Sequence, residues 1–476
     1  MKSGGCVQRK RYFAVASITI LLMAFISGGL ASAFAVNEPN GARVIADFAP
    51  LRATIALSIG DNIFKSSEMG GTRHPFFSSG LPRGATREHA AMIELLGKNG
   101  VRVLDVRDLL NNAIGEARRK GKLSDWLRET FPATADETIK RIGELDADSL
   151  LGRRDDHFYT TGPDGLVNPL FPGITSMYWA RDFAISTPKG IIIGNGRFYN
   201  RAIENSLARF MFQYADELKQ FPIIFDASKE GVLLDGGDVI VLDEKTLLVG
   251  VGNRSSLEAA PKLARQLGMD VLAVSMPPAD KPSGLSRQLL HLDSIFNLVD
   301  SKKVLAVPYF LEKRYSDTNP LKPILLGIAR QVDEIERFET ERDLGSSDEI
   351  RRTVELMPEV GWITRFEAST GKATPLRVKL VDYFREQGYQ IIYVGGQQGK
   401  LPIAKYAIER AMYELRWQGA NVVQLGPGRV IAYEHNVYTN EALRRAGVEV
   451  LTFPGELLSI RNGGPHCLLM PLVRNK

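Results

Sequence analysis

A single cysteine near the end of the chain is the side chain with the clearest chemical potential. Cys467 ends the run Gly463–Cys467, which reads Gly-Gly-Pro-His-Cys, and the only other cysteine is Cys6. A cysteine without a disulfide partner is either buried as a small apolar residue or kept as a reactive thiol. Glycines just before Cys467 allow the backbone to approach a ligand closely. We therefore interpret Cys467 as a nucleophile.

Acidic and imidazole side chains elsewhere could assist a thiol, although each also has a simpler interpretation. Asp182 follows an aromatic segment and could merely pair with the adjacent Arg181. Asp235 opens an Asp-Gly-Gly-Asp sequence, and such pairs are typical of turns. His291 and Asp293 are two residues apart and would project from one side of an extended segment. Together they supply the acids and bases that thiol chemistry needs.

The sequence favours neither a metal nor an organic cofactor. No histidines have the His-x3-His spacing, and no cysteines have the Cys-x2-Cys spacing, of common zinc sites. A glycine-rich phosphate loop is also missing from the sequence, because stretches such as Gly194–Gly196 lack the required spacing. The sequence thus lacks the common spacing of a zinc site and the phosphate loop of a nucleotide-binding sheet.

The N-terminus predicts an exported protein. Four cationic residues precede an apolar stretch from Tyr12 to about Ala31, and Ala33–Ala35 has the small-x-small pattern of a signal-peptidase site. We assign residues 1–35 to a signal peptide, with an uncleaved membrane anchor as the alternative because the apolar stretch is long. The formal charge of +5 includes these four cations, so the mature chain is left near +1. Neither this charge nor any basic-aromatic patch indicates a nucleic-acid partner.

The chain repeats one form five times: an amphipathic helix followed by a short apolar strand. In four units a glycine stands between helix and strand, which suits the left-handed conformation that ends many helices. Several units follow a further apolar strand. Strand–helix–strand units indicate an α/β protein, built either as a doubly wound sheet or as a radial array of blades. The five units are Glu88–Lys98 with Val101–Val106, Ile203–Leu218 with Phe221–Phe225, Ser256–Leu267 with Asp270–Val274, Pro375–Gln387 with Tyr389–Val394, and Asn440–Ala446 with Val448–Phe453.

Two segments interrupt this repeat. Residues 109–150 are charged and helical in pattern, and residues 309–373 contain a run of charges over 333–352. Charge runs of this kind are typical of solvated helices. We interpret both segments as helical insertions and assign them no chemistry.

Four sequence blocks, taken in order, resemble the arginine deiminase family of the guanidine-modifying or pentein superfamily, which also contains the amidinotransferases. The similarity runs from about residue 67 to 474, and the segment Gly426–Tyr433 also contributes to it. The resemblance implies that residues 36–476 form a five-bladed α/β propeller, which agrees with the five helix–strand units. The blocks are Tyr178–Asp182, Asp235–Val239, His291–Phe296 and Gly463–Cys467.

The resemblance also implies a covalent mechanism on a guanidinium group. Asp182 and Asp293 would hold the planar cation by paired, charge-assisted hydrogen bonds. Cys467, as a thiolate, would attack the central carbon of the guanidinium. His291 would protonate the departing ammonia and then activate water, while Asp235 would orient the imidazole. Such a mechanism needs neither a metal nor a cofactor.

Two arginines would bind the far end of the substrate. By resemblance, Arg201 and Arg254 correspond to the arginines that hold the substrate carboxylate. Arg201 begins a predicted helix and Arg254 follows a predicted strand, positions that also suit an ordinary surface cation or a turn. Two cations facing an apolar ligand end would be unfavourable. We therefore expect free arginine as the small-molecule substrate in preference to agmatine.

The chain departs from the family pattern at several positions. Asp235 stands where the family usually has glutamate, so the side chain is one methylene shorter. Asn462 stands where arginine is common, and Ser176 replaces an asparagine near the amino-acid end of the substrate. The acidic motif of the first blade is not recognisable in Phe77–Thr86. The predicted catalytic residues are thus present in a chain whose substrate-end residues differ.

Three functions stay open on the sequence alone. The first is hydrolysis of free arginine to citrulline and ammonia. The second is another guanidine-modifying reaction, either amidino transfer or hydrolysis of a modified or peptidyl arginine. The third is a pentein used only for binding, which leaves the joint presence of Cys467, His291, Asp182 and Asp293 unexplained.

Overall fold

The computed structural model describes residues 43–58, 84–132, 134–151, 159–161, 167–169, 177–278, 283, 289–334, 346–396, 404–460 and 462–475. The signal peptide predicted over residues 1–35 lies outside these ranges, as do Ser176 and most of the segment 77–86. Those predictions are therefore not addressed by the structure.

Nineteen strands form in the described ranges, most of them four to six residues long. They are β1 (Leu51–Ala56), β2 (Arg102–Asp105), β3 (Tyr159–Thr161), β4 (Val167–Pro169), β5 (Ala184–Thr187), β6 (Gly190–Ile193), β7 (Ile223–Asp226), β8 (Val239–Asp243), β9 (Thr246–Val251), β10 (Asp270–Ser275), β11 (Phe296–Asp300), β12 (Lys303–Ala306), β13 (Trp362–Phe366), β14 (Ala373–Lys379), β15 (Gln390–Tyr393), β16 (Val423–Gly426), β17 (Arg429–Tyr433), β18 (Glu449–Phe453) and β19 (Met470–Arg474).

Five groups of three strands share one pattern of pairing. In each group the middle strand pairs antiparallel with one neighbour and parallel with the other. The groups are β5-β6-β7, β8-β9-β10, β11-β12-β15, β16-β17-β18 and β19-β1-β2. In the last group the strands nearest the two chain ends lie side by side. Strands β13 and β14 extend the second group to five strands, and β3 pairs with β4 alone.

Helices make the connections that the parallel pairs require, because parallel strands cannot be joined by a tight turn. None of the described helices is long and apolar enough to cross a membrane. They are α1 (Ala85–Lys98), α2 (Val106–Arg119), α3 (Leu123–Thr130), α4 (Asp136–Gly143), α5 (Ala147–Leu150), α6 (Tyr199–Tyr214), α7 (Ala259–Leu267), α8 (Pro308–Leu311), α9 (Arg314–Asp317), α10 (Leu321–Glu334), α11 (Ser347–Leu356), α12 (Leu380–Glu386), α13 (Ala404–Arg416), α14 (Val437–Arg445) and α15 (Glu456–Ser459).

The α/β class and the five helix–strand units expected from the sequence are present, as α1–β2, α6–β7, α7–β10, α12–β15 and α14–β18. The boundary predicted at Pro375 is wrong. Residues Ala373–Lys379 form β14, and α12 begins only at Leu380. Proline has no N–H to donate, but β14 is an edge strand and one of its sides needs no partner.

The two segments that interrupt the repeat differ in structure. Residues 109–150 contain most of α2 and all of α3, α4 and α5. Residues 309–373 contain helices, but also β13, which the charge pattern did not reveal. Trp362–Phe366 pairs antiparallel with β10, so this part of the predicted helical insertion instead extends a sheet.

Buried apolar side chains pack on both faces of the central strands. Every residue of β5 and β6 is buried, as expected where both faces of a strand are covered. Leu207, Phe210 and Met211 of α6 belong to the same apolar cluster as Ile191 and Ile193 of β6. The sheets are thus held rigidly, and the segments that enter their first strands are fixed at one end.

Candidate active site

The predicted site residues stand at one structural position in successive sheets. Short 3-10 turns over Ala180–Asp182, Gly236–Asp238 and Leu292–Ser294 lead into β5, β8 and β11. These are the first strands of three of the five groups. Each turn contains or directly follows a predicted site residue: Asp182, Asp235, His291 and Asp293.

The other two groups have a polar residue at the matching position. Asn421 lies two residues before β16, and Cys467 lies three residues before β19. Both side chains are buried. Cys467, at the end of the chain, therefore comes to the same place as side chains from the middle of the sequence.

Hydrogen bonds join these five segments into a closed ring. Each bond pairs a backbone group of one segment with a backbone or side-chain group of the next. In order, they run from Gly237 N–H to Asp182 Oδ1 (3.1 Å), from Leu292 N–H to Asp238 Oδ1 (3.0 Å), from Asn421 Nδ2 to the Asp293 carbonyl (3.2 Å), from Cys467 N–H to Asn421 Oδ1 (3.1 Å) and from Arg181 N–H to the Cys467 carbonyl (3.1 Å).

The Cys467 thiol is buried between an amide donor and a carboxylate. Asn421 Nδ2 donates to Sγ over 3.2 Å, and Sγ lies 3.7 Å from Asp293 Oδ2. Burial, followed by the carboxylates of Asp293 and Asp182, raises the pKa of the Cys467 thiol well above its ordinary value. At neutral pH the site therefore holds a neutral thiol, whose ionisation requires a nearby positive charge.

Asp293 is a buried carboxylate with one oxygen free. Its Oδ2 is 2.8 Å from His466 Nδ1, while Oδ1 has no hydrogen-bond partner within the described ranges. Burial alone would raise the pKa of Asp293, but the bond from His466 and the charge of His291 outweigh burial and hold the pKa below its ordinary value. An ionised carboxylate with an unused buried oxygen is costly unless a donor arrives. Asp293 is thus arranged to accept from a cationic ligand.

His291 is surrounded by carboxylates. Its Nε2 is 3.1 Å from Asp235 Oδ2, and its Nδ1 is 3.9 Å from Asp182 Oδ1. Burial alone would lower the pKa of His291. The carboxylates of Asp182, Asp235 and Asp238 outweigh burial and raise this pKa to about 9. The imidazole is therefore protonated at neutral pH and can act as a general acid.

Asp182 is paired with Arg201. Arg201 Nη2 donates to Asp182 Oδ2 over 3.0 Å, and Nη1 donates to Glu204 Oε2 over 2.8 Å. The guanidinium also lies 5.1 Å from the ring centre of Trp179. The side chain predicted to hold the substrate carboxylate thus contacts one of the residues predicted to hold the guanidinium.

Arg254 lies on the same side of the site. Its Nη1 is 3.9 Å from Asp235 Oδ2, and its guanidinium carbon is 5.0 Å from the ring centre of Phe198. Its Nε has no hydrogen-bond partner within the part of the chain that the structure describes. Phe198 is half exposed. Arg254 thus joins a carboxylate of the site to an accessible aromatic surface.

The structure gives local detail for two features noted in the sequence. Asp182 does not pair with Arg181, because the Arg181 guanidinium instead donates to Asp47 over 3.1 Å and to two backbone carbonyls. The glycines before Cys467 are needed for packing against the protein itself. A Cβ at Gly463 would collide with the Trp179 ring, and one at Gly464 would collide with the Asn421 side chain.

The sequence did not single out four polar residues that line the site. Asn421 donates to the Cys467 sulfur, and His466 contacts the Asp293 carboxylate. Asp238 and Ser255 are hydrogen-bonded to the backbone at Leu292 and Asp235. His466 and Asp238 were inside blocks chosen for other residues. Asn421 had one available signal, its place before an apolar strand equivalent to β5, β8 and β11.

Charge pairing organises these side chains. Asp182, Asp235 and Asp293 each face an arginine or a histidine. Within the described ranges, no three histidine, cysteine or carboxylate side chains are placed to share a metal ion.

A buried thiol, a protonated imidazole and carboxylates with a free acceptor define a thiol site for a cationic ligand. The model of the family described as arginine deiminase matches residues 78–474, and the chain belongs to this family. Similar proteins include an arginine deiminase of Mycoplasma capricolum subsp. capricolum, 27% identical over 418 residues, which cover 82% of this chain and 86% of that protein. The arginine deiminase of Mycobacterium tuberculosis is 27% identical over 417 residues, covering 82% and 88%.

Solved structures give weaker similarities. A complex of DDAH from Pseudomonas aeruginosa with citrulline aligns with a TM-score of 0.45 and 12% identity, over 88% of this chain and 99% of that one. A TM-score at this level adds nothing to the assignment of the chain. The sequence match establishes the family.

Proposed function

We propose that the protein is a hydrolase that deiminates free arginine to citrulline and ammonia through a covalent intermediate on Cys467. One observation carries the proposal. In a chain of the arginine deiminase family, Cys467 Sγ lies 3.7 Å from Asp293 Oδ2. The other carboxylate oxygen, Asp293 Oδ1, has no hydrogen-bond partner in the described ranges. A guanidinium bound by that carboxylate would place its central carbon beside the sulfur.

The bound cation promotes ionisation of the thiol to the nucleophilic thiolate. The pKa of Cys467 is raised by burial and by the carboxylates of Asp293 and Asp182. A guanidinium between these carboxylates cancels their charge and favours the thiolate. The thiol proton then passes to solvent, and attack on the guanidinium carbon forms the carbon–sulfur bond.

His291 completes both halves of the reaction. As an imidazolium it protonates one amino group of the tetrahedral adduct, the carbon–nitrogen bond breaks and ammonia leaves. Neutral His291 then takes a proton from water, and the resulting hydroxide attacks the thiouronium carbon. The carbon–sulfur bond breaks with loss of the hydroxyl proton, which releases the ureido product and returns the thiolate. Asp235, 3.1 Å from Nε2, holds the imidazole in place throughout.

The far end of the substrate is assigned to Arg201 and Arg254. Arg201 occupies Asp182 Oδ2 at 3.0 Å, the oxygen that a substrate guanidinium would also use. We infer that the substrate displaces this contact, and that Arg201 then joins Arg254 in binding the α-carboxylate. Before the exchange, Arg201 pairs with Asp182. After it, the substrate guanidinium pairs with Asp182 and the α-carboxylate pairs with Arg201 and Arg254, so no buried charge is left unpaired.

The test is to supply arginine and measure the ureido product, ammonia and ornithine together. Equal amounts of citrulline and ammonia support the hydrolase, whereas ornithine without ammonia supports amidino transfer. Comparing kcat/KM for arginine, agmatine and a peptide containing arginine tests the substrate end. Arginine should be the best of the three, and a preference for agmatine or the peptide would remove the carboxylate role of the two arginines.

The five three-stranded groups are proposed to be the blades of a five-bladed α/β propeller. Their common pairing pattern, the pairing of β19 with β1 and the closed ring of hydrogen bonds all support this arrangement. A crystal structure in which the five groups do not surround the site would refute it.

Export is proposed on the N-terminal sequence alone. Residues 1–35 carry the cationic, apolar and small-residue pattern of a signal peptide. N-terminal sequencing of the protein recovered outside the cytoplasm should begin at residue 36. Recovery of the intact N-terminus in a membrane fraction would instead favour the anchor.

A further inference from the structure

Asp238 and Ser255 are buried polar residues beside the site that take no part in the proposed reaction. Ser255 is fully buried, and Asp238 is 2% exposed. Ser255 Oγ donates to Asp238 Oδ2 over 2.7 Å and accepts from the backbone N–H of Asp235 over 3.1 Å. The other oxygen, Asp238 Oδ1, accepts from the backbone N–H of Leu292 over 3.0 Å. The two side chains therefore connect the backbone of Asp235 to the residue next to His291.

We propose that Ser255 and Asp238 are positioning residues that hold Asp235 and His291 at hydrogen-bonding distance. This inference rests on the proposed function, because that function makes His291 the general acid. We call the connection through Ser255 and Asp238 the Ser255–Asp238 link.

The link matters because the Asp235 side chain itself has few hydrogen bonds in the part of the chain that the structure describes. Its Oδ2 contacts His291, and Arg254 is 3.9 Å away, but Oδ1 has no hydrogen-bond partner within the described ranges. Because the side chain is short and only one of its oxygens is hydrogen-bonded, the position of the Asp235 carboxylate is set mainly by its backbone. The bond from Asp235 N–H to Ser255 fixes the backbone of Asp235. The bond from Leu292 N–H to Asp238 fixes the backbone next to His291. A shift of about 1 Å between them would weaken the contact to His291 severely.

Asp238 also contributes to the charge around the imidazole. Burial raises the pKa of Asp238 to about 7, against the opposing effects of His291 and Ser255. At the higher pH where His291 titrates, Asp238 is therefore ionised and, with Asp182 and Asp235, favours the imidazolium. The charges of Arg201 and Arg254 also favour the ionised form of Asp235.

The test compares Asp238→Asn, Ser255→Ala and Ser186→Ala. Ser186 is a matched control, since its hydroxyl is also buried and donates to a backbone carbonyl, that of Leu472, over 3.0 Å on β5. We expect kcat for arginine to fall about 10- to 100-fold in the first two variants, with KM within about threefold. The control should keep both constants, and thermal unfolding should show that each variant is folded.

A second measurement does not depend on turnover. The His291 imidazole is titrated by NMR, its signal being identified by its loss in His291→Asn. Asp238→Asn removes a carboxylate that favours the imidazolium, so the titration should move to lower pH than in the unmodified protein. Failure of the protein to act on arginine would refute the proposed function but leave this shift to be observed.

If the protein acts on arginine, the inference stands only if both measurements move; if it does not, the His291 titration alone decides the inference. If Asp238→Asn keeps the His291 titration of the unmodified protein, or if kcat in both link variants equals that of Ser186→Ala, the two residues serve the fold alone and the proposal is wrong. Should Asp238→Asn fail to fold, Ser255→Ala carries the same test. This variant leaves the carboxyl in place but removes its hydroxyl donor, so the carboxylate is less stable and the His291 titration should again move down.

Discussion

Cys467 lies among groups that oppose its ionisation and groups that stabilise its position. Asp293 is 3.7 Å from the sulfur, while Asn421 donates to it over 3.2 Å. The thiol is therefore placed for attack but kept neutral until a cation arrives. A neutral thiol is protected in the absence of substrate, because a permanently ionised thiol would react with oxidants and alkylating agents.

Replacement of Asp293 separates thiol ionisation from catalysis. Asp293→Asn removes the carboxylate that, of the two, raises the thiol pKa more, so the pKa of Cys467 should fall. Activity should nevertheless fall by about 10³-fold or more, because the site loses charge that stabilises the guanidinium. The ultraviolet absorbance of the thiolate measured against pH tests the first effect, and steady-state kinetics test the second. A rise in the thiol pKa would contradict this account.

Covalent labelling tests the nucleophile. A haloacetamidine is a cation that resembles a guanidinium and can alkylate a thiol, and it should label Cys467 and no other residue of the mature chain. Cys467→Ala should lose both labelling and turnover, because no other thiol remains once residues 1–35 are removed. Mass spectrometry of the labelled peptide identifies the site. Substantial turnover by the alanine variant would exclude Cys467 as the nucleophile.

The pH dependence should follow His291. Its pKa is raised to about 9 from an ordinary 6.5, so kcat/KM should fall as pH rises through about 9, when the general acid is lost. The same shift affects stability. A raised histidine pKa stabilises the fold fully below about 6.5, and this contribution disappears as pH rises through about 9. Denaturant unfolding at several pH values should show that loss, and His291→Asn should lack it.

The sequence allowed Cys467, His291 and the carboxylates to be chosen as site residues, because their residue types limit the chemistry. It did not allow their partners to be assigned. Arg181 precedes Asp182, yet it turns towards Asp47, 134 residues earlier, while Asp182 pairs with Arg201. Pairing between buried charges depends on which segments meet, and only the fold determines that.

At the scale of elements, the site consists of the segments that precede first strands. The 3-10 turns before β5, β8 and β11 hold their carboxylates rigidly, because a buried strand fixes one end of each turn. The helix–strand units were predictable from apolar periodicity and glycine. Asn421 was not chosen, since an asparagine before a strand is common. Its place in the site is recognised only when the five groups of strands are compared.

Gly464→Ala should disturb the site through Asn421. An added Cβ would collide with the Asn421 side chain, which holds both Sγ and the backbone N–H of Cys467. We expect kcat to fall at least about 10-fold, and the fold to be destabilised by about 1–3 kcal/mol from overpacking. Gly115→Ala, in the middle of α2 with open space around it, is the control and should stabilise the protein by about 0.5–1 kcal/mol. Equal effects of the two changes would contradict the assignment.

For the whole molecule, one repeated pairing pattern accounts for most of the structure and the insertions account for the rest. The repeat was visible in the sequence, whereas the addition of β13 and β14 to one sheet was not. Trp362–Phe366 lies 87 or more residues beyond its partner strand β10, and strand pairing across such a distance leaves no local sequence signal. Function depends on the repeat, because each group supplies one segment of the ring.

The pairing of β1 with β19 also has a consequence for folding kinetics. Thr54 Oγ1 donates to the Met470 carbonyl across 416 residues, and contacts between such distant residues form slowly because of the entropy lost on closing the loop. The segment that carries Cys467 leads directly into β19, so we expect its final placement to depend on this pairing. Catalytic competence should therefore appear in a late step of refolding, after most of the helices and the other sheets have formed.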